Sequence, residues 1–196
     1  MQLALSEDQT LLKDTVTSLF EDQATPERIR AAEATGIDNA LWDQLVELGI
    51  TGMRAVAPED GGMSLMDAAI VAEAAGRSVA PVPLIEAIVA IGLLHRANAP
   101  AELLAEVDGG ALATLALAPV EPGKVQPILG ASIAKVIVAL DGGELVAFTE
   151  LSAERAPNIA AAAVAALDLS NAGGTRIELA SLAHARALFE PAVAAW

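Results

Sequence analysis

The spacing of apolar residues changes at Gly109-Gly110, and this change constrains the fold more than any other feature of the 196-residue chain. Before it, apolar residues recur at the three- and four-residue spacing of amphipathic helices. After it, short runs rich in β-branched residues alternate with glycine-containing turns, a pattern typical of strands. The sequence therefore predicts an α+β, multidomain fold with an all-α N-terminal bundle and a β-rich second half.

Helix starts are marked by capping residues in the first half. Ser6 is a predicted N-cap with Gln9 three residues later, the spacing of a capping box, and an apolar stripe follows from Leu12 to Phe20. Thr25-Pro26 begins a second helix, because proline suits the first helical position. Further helices are predicted at 41–48, 64–77, 84–97 and 101–107, the second of these opened by Ser64 with Asp67.

Two features inside this helical region have simple structural interpretations. Trp42 is predicted to be a core residue of its helix, which ends at Gly49. Gly61-Gly62 follows Pro58 in a loop. No Gly-x-Gly-x-x-Gly or Gly-Lys-Ser/Thr pattern accompanies it, so a turn is favoured over a phosphate-binding loop.

The second half predicts a small antiparallel β-barrel or sandwich. Residues 111–118 form an apolar run, and 133–140 and 144–149 flank Asp141-Gly142-Gly143, which indicates a hairpin. Residues 175–180 alternate polar and apolar, as in a half-buried strand. The alanine-rich segment 159–167 favours neither state.

The last residues resemble the start of a helix, with Glu190 in the first turn and Pro191 near its first position. About two turns are a marginal helix alone. We therefore expect a C-terminal helical domain that is cut short after Trp196; the alternative is a natural, frayed end. The predicted domains are 1–108, 109–188 (a reduced β-domain) and 189–196 (the start of the truncated domain).

Composition excludes several classes of function. The net charge of −15 repels nucleic acids and anionic membranes. The absence of cysteine excludes disulfides, thiolate metal sites and cysteine nucleophiles, and two histidines leave little for a metal centre. The N-terminus lacks the pattern of a signal peptide, and no apolar run is long enough to span a bilayer. The expected location is the cytoplasm.

Five segments, in order, resemble acyl-CoA dehydrogenases. LSEDQTLLKDTVTSLFED resembles the opening helix of that family, and ALWDQLVELGITGM its next signature helix. APEDGG and LMDAAIVAEAAGRSVAPVPLIEA are similar to the Pro-Glu/Gly-Gly loop and the helix that follows it. GGALATLALAP resembles the first strand of the middle domain. The resemblance weakens beyond Pro119, although FEPAVAAW fits the lead into the third, helical domain.

The resemblance implies a flavoprotein of lipid metabolism and β-oxidation. Such oxidoreductases bind FAD and oxidise an acyl-CoA thioester to the 2,3-enoyl-CoA, in fatty-acid or steroid side-chain catabolism. A glutamate of the C-terminal domain takes the α-proton, so no catalytic residue is expected in this chain. Glu73 and Glu86 lie on N-terminal helices. Glu86, amid apolar neighbours, is the carboxylate most suited to burial, and a helix-edge position is favoured over a catalytic role. No metal site is implied.

The expected flavin site is altered in three places. The strand of the family that contacts the flavin ends in an Ala-Leu-Thr-Glu-Pro-like sequence, whereas this chain has Ala118 at the threonine position. The backbone groups of Leu117 and Ala118 remain as the candidate FAD contacts. Gly123-Lys124-Val125 replaces a Gly-Ser-Asp-type loop, and no tryptophan lies between Pro119 and Ala195.

These clustered departures leave three hypotheses. The chain is part of an acyl-CoA dehydrogenase that is inactive alone, or it is a non-catalytic partner subunit of a heteromeric one, or it is an unrelated α+β binding module. The first two imply an acyl-CoA substrate and a homo- or hetero-oligomer, with an electron-transfer flavoprotein as a further partner. In both, the apolar helix from Leu84 to Leu94 either lines an acyl cavity or packs in the core.

Three basic residues are expected to have structural roles. His95 ends an apolar helix, and His184 lies near Arg186, so both are expected to be solvated. Arg77 closes its helix, where a positive charge complements the helix dipole.

Overall fold

The computed structural model describes residues 4–172 and 175–180, together with Ala187 and Ala194. Helices occupy most of the first 108 residues, as predicted. Their bounds are α1 (Glu7–Gln23), α2 (Pro26–Ala32), α3 (Asn39–Glu47), α4 (Leu65–Arg77), α5 (Leu84–Arg96) and α6 (Ala101–Asp108).

The predicted caps are confirmed. The Gln9 N–H donates to Ser6 Oγ at 3.1 Å, and the Ser6 N–H donates to Gln9 Oε1 at 3.2 Å. Ser64 and Asp67 form the same reciprocal pair at the start of α4. Gln9 Nε2 also donates to Asp67 Oδ1 at 3.0 Å, so the two caps are bonded to each other. This bond aligns the beginnings of α1 and α4, which pack along their lengths.

Among the described residues, six strands follow α6. They are β1 (Ala113–Leu115), β2 (Gln126–Ile128), β3 (Val136–Asp141), β4 (Glu144–Thr149), β5 (Ala165–Leu167) and β6 (Thr175–Ala180). The predicted hairpin is confirmed: β3 and β4 are antiparallel, and Gly142 and Gly143 form the turn with φ of 58° and 88°. Such positive angles suit glycine, which has no Cβ.

The prediction of an antiparallel barrel or sandwich is not borne out in its detail. One sheet has four strands in the order β1-β3-β4-β6, and the other pairs β2 with β5; the described residues contain no closed barrel. β1 is parallel to β3, with Ala113 opposite Val136. The reason is the intervening segment 116–135, which leaves the sheet to form β2 and returns so that β3 runs in the direction of β1.

β2 and β5 were not predicted. Each has three residues, too few to display alternation, and β5 lies in the alanine-rich segment that favoured neither state.

The helical and β-rich halves share α5. Leu84 and Ile88 belong to a cluster with α1, α3 and α4, whereas Leu93 and Leu94 belong to the cluster that contains the sheet. A second tie is the Trp42 indole N–H, which donates to the Gly110 carbonyl at 2.9 Å. Trp42 is thus a core residue, as predicted. The change from helix to strand occurs where expected, and the division into domains at 108 and 188 stays a prediction.

Predictions for the C-terminal end fall outside the described residues. They concern His184, Glu190, Pro191, Trp196 and, apart from Ala194, the segment 189–196. Among the helices that the structure describes, none combines the length and hydrophobicity needed to cross a bilayer.

The turn after Pro58 yields a stability prediction. The Gly62 N–H donates to the Ala57 carbonyl, and a Cβ on Gly62 would lie 2.0 Å from the Val56 oxygen. Gly62→Ala should therefore lower the free energy of unfolding by about 1–3 kcal/mol, because the backbone must move. Urea denaturation followed by circular dichroism measures this change.

Gly52, in the same connection between α3 and α4, is the matched control. A Cβ there meets nothing within 4 Å. Gly52→Ala should be neutral or slightly stabilising, by up to about 1 kcal/mol. Equal losses in the two variants would contradict the proposed steric cause.

Candidate functional site

The predicted flavin contacts lie where β1 leaves the edge of the sheet. The Ala116 N–H donates to the Val138 carbonyl at 2.8 Å, and the Val120 N–H donates to Leu140 at 2.7 Å. Between these two ladder bonds, Leu117 and Ala118 turn away from β3. The Leu117 side chain is 36% exposed. Its backbone groups have no hydrogen-bond partner among residues 4–172 and 175–180.

The backbone of Ala118 is bonded to a side chain. Its N–H donates to Gln126 Oε1 at 3.2 Å, and its carbonyl accepts from Gln126 Nε2 at 3.1 Å. Gln126 is only 8% exposed and begins β2, where it pairs with Leu167. The carboxamide therefore bonds the Ala118 peptide groups as a neighbouring strand would.

This arrangement bears on whether FAD fits the site. A flavin ring edge carries the same kind of adjacent donor and acceptor as a carboxamide. With Gln126 in place, the Ala118 N–H is already satisfied, and the residue lacks a hydroxyl. The Ala118 groups as arranged do not fit a flavin edge. The assignment of Leu117 and Ala118 as FAD contacts stays a prediction.

Sequence reasoning missed Gln126. The available signal was a single amide side chain between Val125 and Pro127, within an otherwise apolar β-type segment. A buried polar side chain requires partners, and its partners could not be identified from spacing alone.

A mostly apolar cavity of about 380 Å³ lies between α4 and α5. Ile85, Ile88 and Val89 of α5 face it, which means that this helix lines a cavity on one side and packs in the core on the others. The remaining lining residues are Arg54, Leu65, Ala68, Ala69, Ala72, Arg96 and Ala187.

Two guanidinium groups are the charged part of this cavity. Arg54 Nη1 donates to the Met63 carbonyl at 3.2 Å. Arg96, on the last turn of α5, is half-buried. Burial, followed by the positive charge of Arg54, lowers the pKa of Arg96 from its usual value.

Glu86 lies at a second, smaller cavity of about 220 Å³, beside Leu129 and Gly130. No side chain among the described residues bonds its carboxylate. Burial raises the pKa of Glu86 above its ordinary value, and its own backbone N–H opposes this effect. By its accessible surface Glu86 is half-buried, which agrees with the expected position at a helix edge.

The other charged residues have structural partners. His95 Nε2 lies 2.9 Å from Asp108 Oδ1, so it is paired as well as partly solvated. Arg77 pairs with Glu73 one turn earlier, at 2.8 Å on an exposed surface. No group of three potential metal ligands occurs within the part of the chain that the structure describes.

The raised pKa of Glu86 predicts a pH-dependent effect. Between its unfolded and folded pKa values the folded state holds more protons, so this residue lowers stability as pH rises through that interval. Glu86→Gln should therefore raise the free energy of unfolding at pH 7 and have little effect below pH of about 4. Urea denaturation at both pH values measures it.

Glu33 provides the control, since it lines the same cavity with an exposed side chain. Glu33→Gln should change stability by less than about 0.5 kcal/mol at either pH. An equal gain from Glu86→Gln at low and neutral pH would rule out the electrostatic explanation.

Comparisons with known proteins agree with the fold. Residues 6–102 match the family model "Acyl-CoA dehydrogenase, N-terminal domain". The chain is 35% identical over 156 residues to acyl-CoA dehydrogenase IpdE2 of Mycobacterium tuberculosis, covering 76% of this chain and 46% of the relative. It is 34% identical over 163 residues to IpdE2 of Mycolicibacterium smegmatis, covering 79% and 49%. The chain thus spans about half the length of these curated relatives.

Solved structures give the same result. The "Tcur3481-Tcur3483 steroid ACAD G363A variant" is 26% identical, with a TM-score of 0.72 over 96% of this chain and 62% of that one. The ChsE4-ChsE5 complex from Mycobacterium tuberculosis shares the fold at 20% identity, with a TM-score of 0.71 over 96% and 61%. The hypothesis of an unrelated binding module is therefore wrong. The chain belongs to the acyl-CoA dehydrogenase family.

Proposed function

We propose that this chain is part of a flavin-dependent acyl-CoA dehydrogenase and works with a second subunit of that family. The overall reaction is oxidation of an acyl-CoA to the 2,3-enoyl-CoA. The observation that carries the subunit assignment is the pair of hydrogen bonds between Gln126 and Ala118. They use the backbone groups at the position where the family resemblance expects a flavin contact.

The proposed division of labour follows from what this chain offers. FAD, where bound, supplies the hydride acceptor. Ala118 lacks a free N–H and a hydroxyl for it, so we assign flavin binding to the second subunit or to the interface. The glutamate base belongs to the C-terminal domain in the family. We assign that role to neither Glu73, which is paired with Arg77, nor Glu86, which lies at the smaller cavity.

Two structural neighbours support the proposal of a bulky substrate and a heteromeric assembly. One structural neighbour is a steroid acyl-CoA dehydrogenase, and another is a two-component complex. We therefore propose that the acyl group is steroid-derived or similarly bulky. Ile85, Ile88 and Val89, which face the larger cavity, are the candidates for lining the acyl pocket.

The flavin content of the isolated chain tests the partner-subunit assignment. The full-length protein purified alone should contain no stoichiometric FAD, whereas co-expression with its partner subunit should yield a flavin-containing complex. Absorbance at the flavin bands, measured against protein concentration, gives the ratio. A yellow protein with one FAD per chain, purified alone, would refute the partner-subunit assignment.

A variant of Gln126 tests the role of its hydrogen bonds to Ala118. Gln126→Leu keeps the side-chain volume but leaves the Ala118 N–H and carbonyl without partners. Its free energy of unfolding should fall by about 1–3 kcal/mol. The flavin content of the complex should stay unchanged, because these groups do not contact the cofactor in the proposed assembly.

Val125→Ala is the control, because Val125 is adjacent and 60% exposed. It should change neither stability nor flavin content appreciably. Loss of flavin from the Gln126→Leu complex without loss of its fold would place the cofactor against this strand and contradict the proposal.

A further inference from the structure

Arg54 and Arg96 converge on one position of α5. A Cβ built on Gly92 would lie 2.9 Å from Arg54 Cβ and 3.2 Å from Arg96 Nη1. Glycine at this point of the helix therefore leaves the room that both arginines occupy. Both side chains line the 380 Å³ cavity between α4 and α5.

No ion pair joins either arginine to an acidic residue among residues 4–172 and 175–180. Arg54 and Arg96 differ from Arg28, whose side chain lies 2.6 Å from Asp38, because they share one largely apolar cavity without an acidic partner among the described residues. Two like charges that share a half-buried space repel each other unless an anion lies between them.

Asp67 is the acidic residue whose pKa responds to the charge of Arg54, and its carboxylate already accepts hydrogen bonds from other residues. Its carboxylate accepts hydrogen bonds from Gln9 and from the N–H and hydroxyl of Ser64. The charge of Arg54 is a minor cause of the lowered pKa of Asp67. Asp67 therefore attracts Arg54 only weakly and forms no ion pair with it.

The rest of the cavity wall is apolar, formed by the side chains of α4 and α5 such as Leu65, Ala68, Ile85, Ile88 and Val89. A ligand that fits must combine an apolar body with an anionic group at one end. Guanidinium groups bind carboxylates with paired, charge-assisted hydrogen bonds.

We propose that this cavity binds a small apolar carboxylate, with its carboxylate between Arg54 and Arg96 and its body against α4 and α5. The site itself does not depend on the proposed function. Its identification with a substrate does: if the chain serves an acyl-CoA dehydrogenase, the ligand is an acyl group that carries a free carboxylate remote from its thioester.

The test compares octanoate with octanamide, which has nearly the same shape and no charge. Isothermal titration calorimetry on the full-length protein, purified as it assembles, measures both dissociation constants. Octanoate should bind at least about tenfold more tightly, the effect of one charge-assisted hydrogen bond. Equal affinities, or no binding of octanoate, would overturn the proposal, and this comparison needs no variant.

Variants then locate the site. Arg96→Met and Arg54→Met keep apolar stems, and each should remove most of the preference for octanoate. Ala72→Phe should weaken both ligands, because it fills the cavity without changing its charge. Arg77→Met, at an exposed pair with Glu73, should leave binding unchanged. An undiminished preference in Arg96→Met would overturn the assignment of this arginine.

The two proposals fail separately. Octanoate binding requires neither flavin nor turnover, so its absence leaves the flavin and co-expression predictions standing. FAD in the isolated subunit would refute the partner-subunit assignment and leave the carboxylate site intact.

Discussion

The burial of α5 on nearly all sides is the constraint on which the rest of the structure depends. Nine of the eleven residues from Leu84 to Leu94 are buried. A helix that is apolar around its circumference must be enclosed by other elements. One side is covered by α1, α3 and α4, and another by β1, so the same helix fixes the sheet relative to the bundle.

Enclosure of α5 also creates the charged cavity. Gly92 interrupts a run of larger apolar residues at the point where Arg54 and Arg96 approach. A Cβ there would lie 2.9 Å from Arg54 Cβ and 3.2 Å from Arg96 Nη1, so glycine leaves the room that these two residues occupy. Packing and the proposed carboxylate site are thus linked through one glycine in the middle of a helix, where glycine otherwise costs about 1 kcal/mol.

Gln126 has a comparable role in the β-rich half. Residues 117–119 leave the ladder between β1 and β3, and peptide groups that lose a strand partner must find another. The Gln126 carboxamide supplies both a donor and an acceptor from the start of β2. The Ala118 groups, at the position where the family resemblance expects a flavin contact, are thereby satisfied within the chain, whereas those of Leu117 find no partner among the described residues. The subunit and flavin proposals are joined for this reason.

The sequence by itself determined the local structure and the family. Ser6 with Gln9, Ser64 with Asp67, and the Gly142-Gly143 turn were predictable because capping and turn formation involve groups only a few residues apart. The burial of Trp42 and the partial burial of Glu86 were also predictable, from their apolar surroundings. The tertiary structure alone decided the parallel pairing of β1 with β3, the bonds from Gln126 to Ala118, and the meeting of Arg54 with Arg96. Each of these depends on where distant segments return after folding, and residue spacing along the chain carries no information about that path.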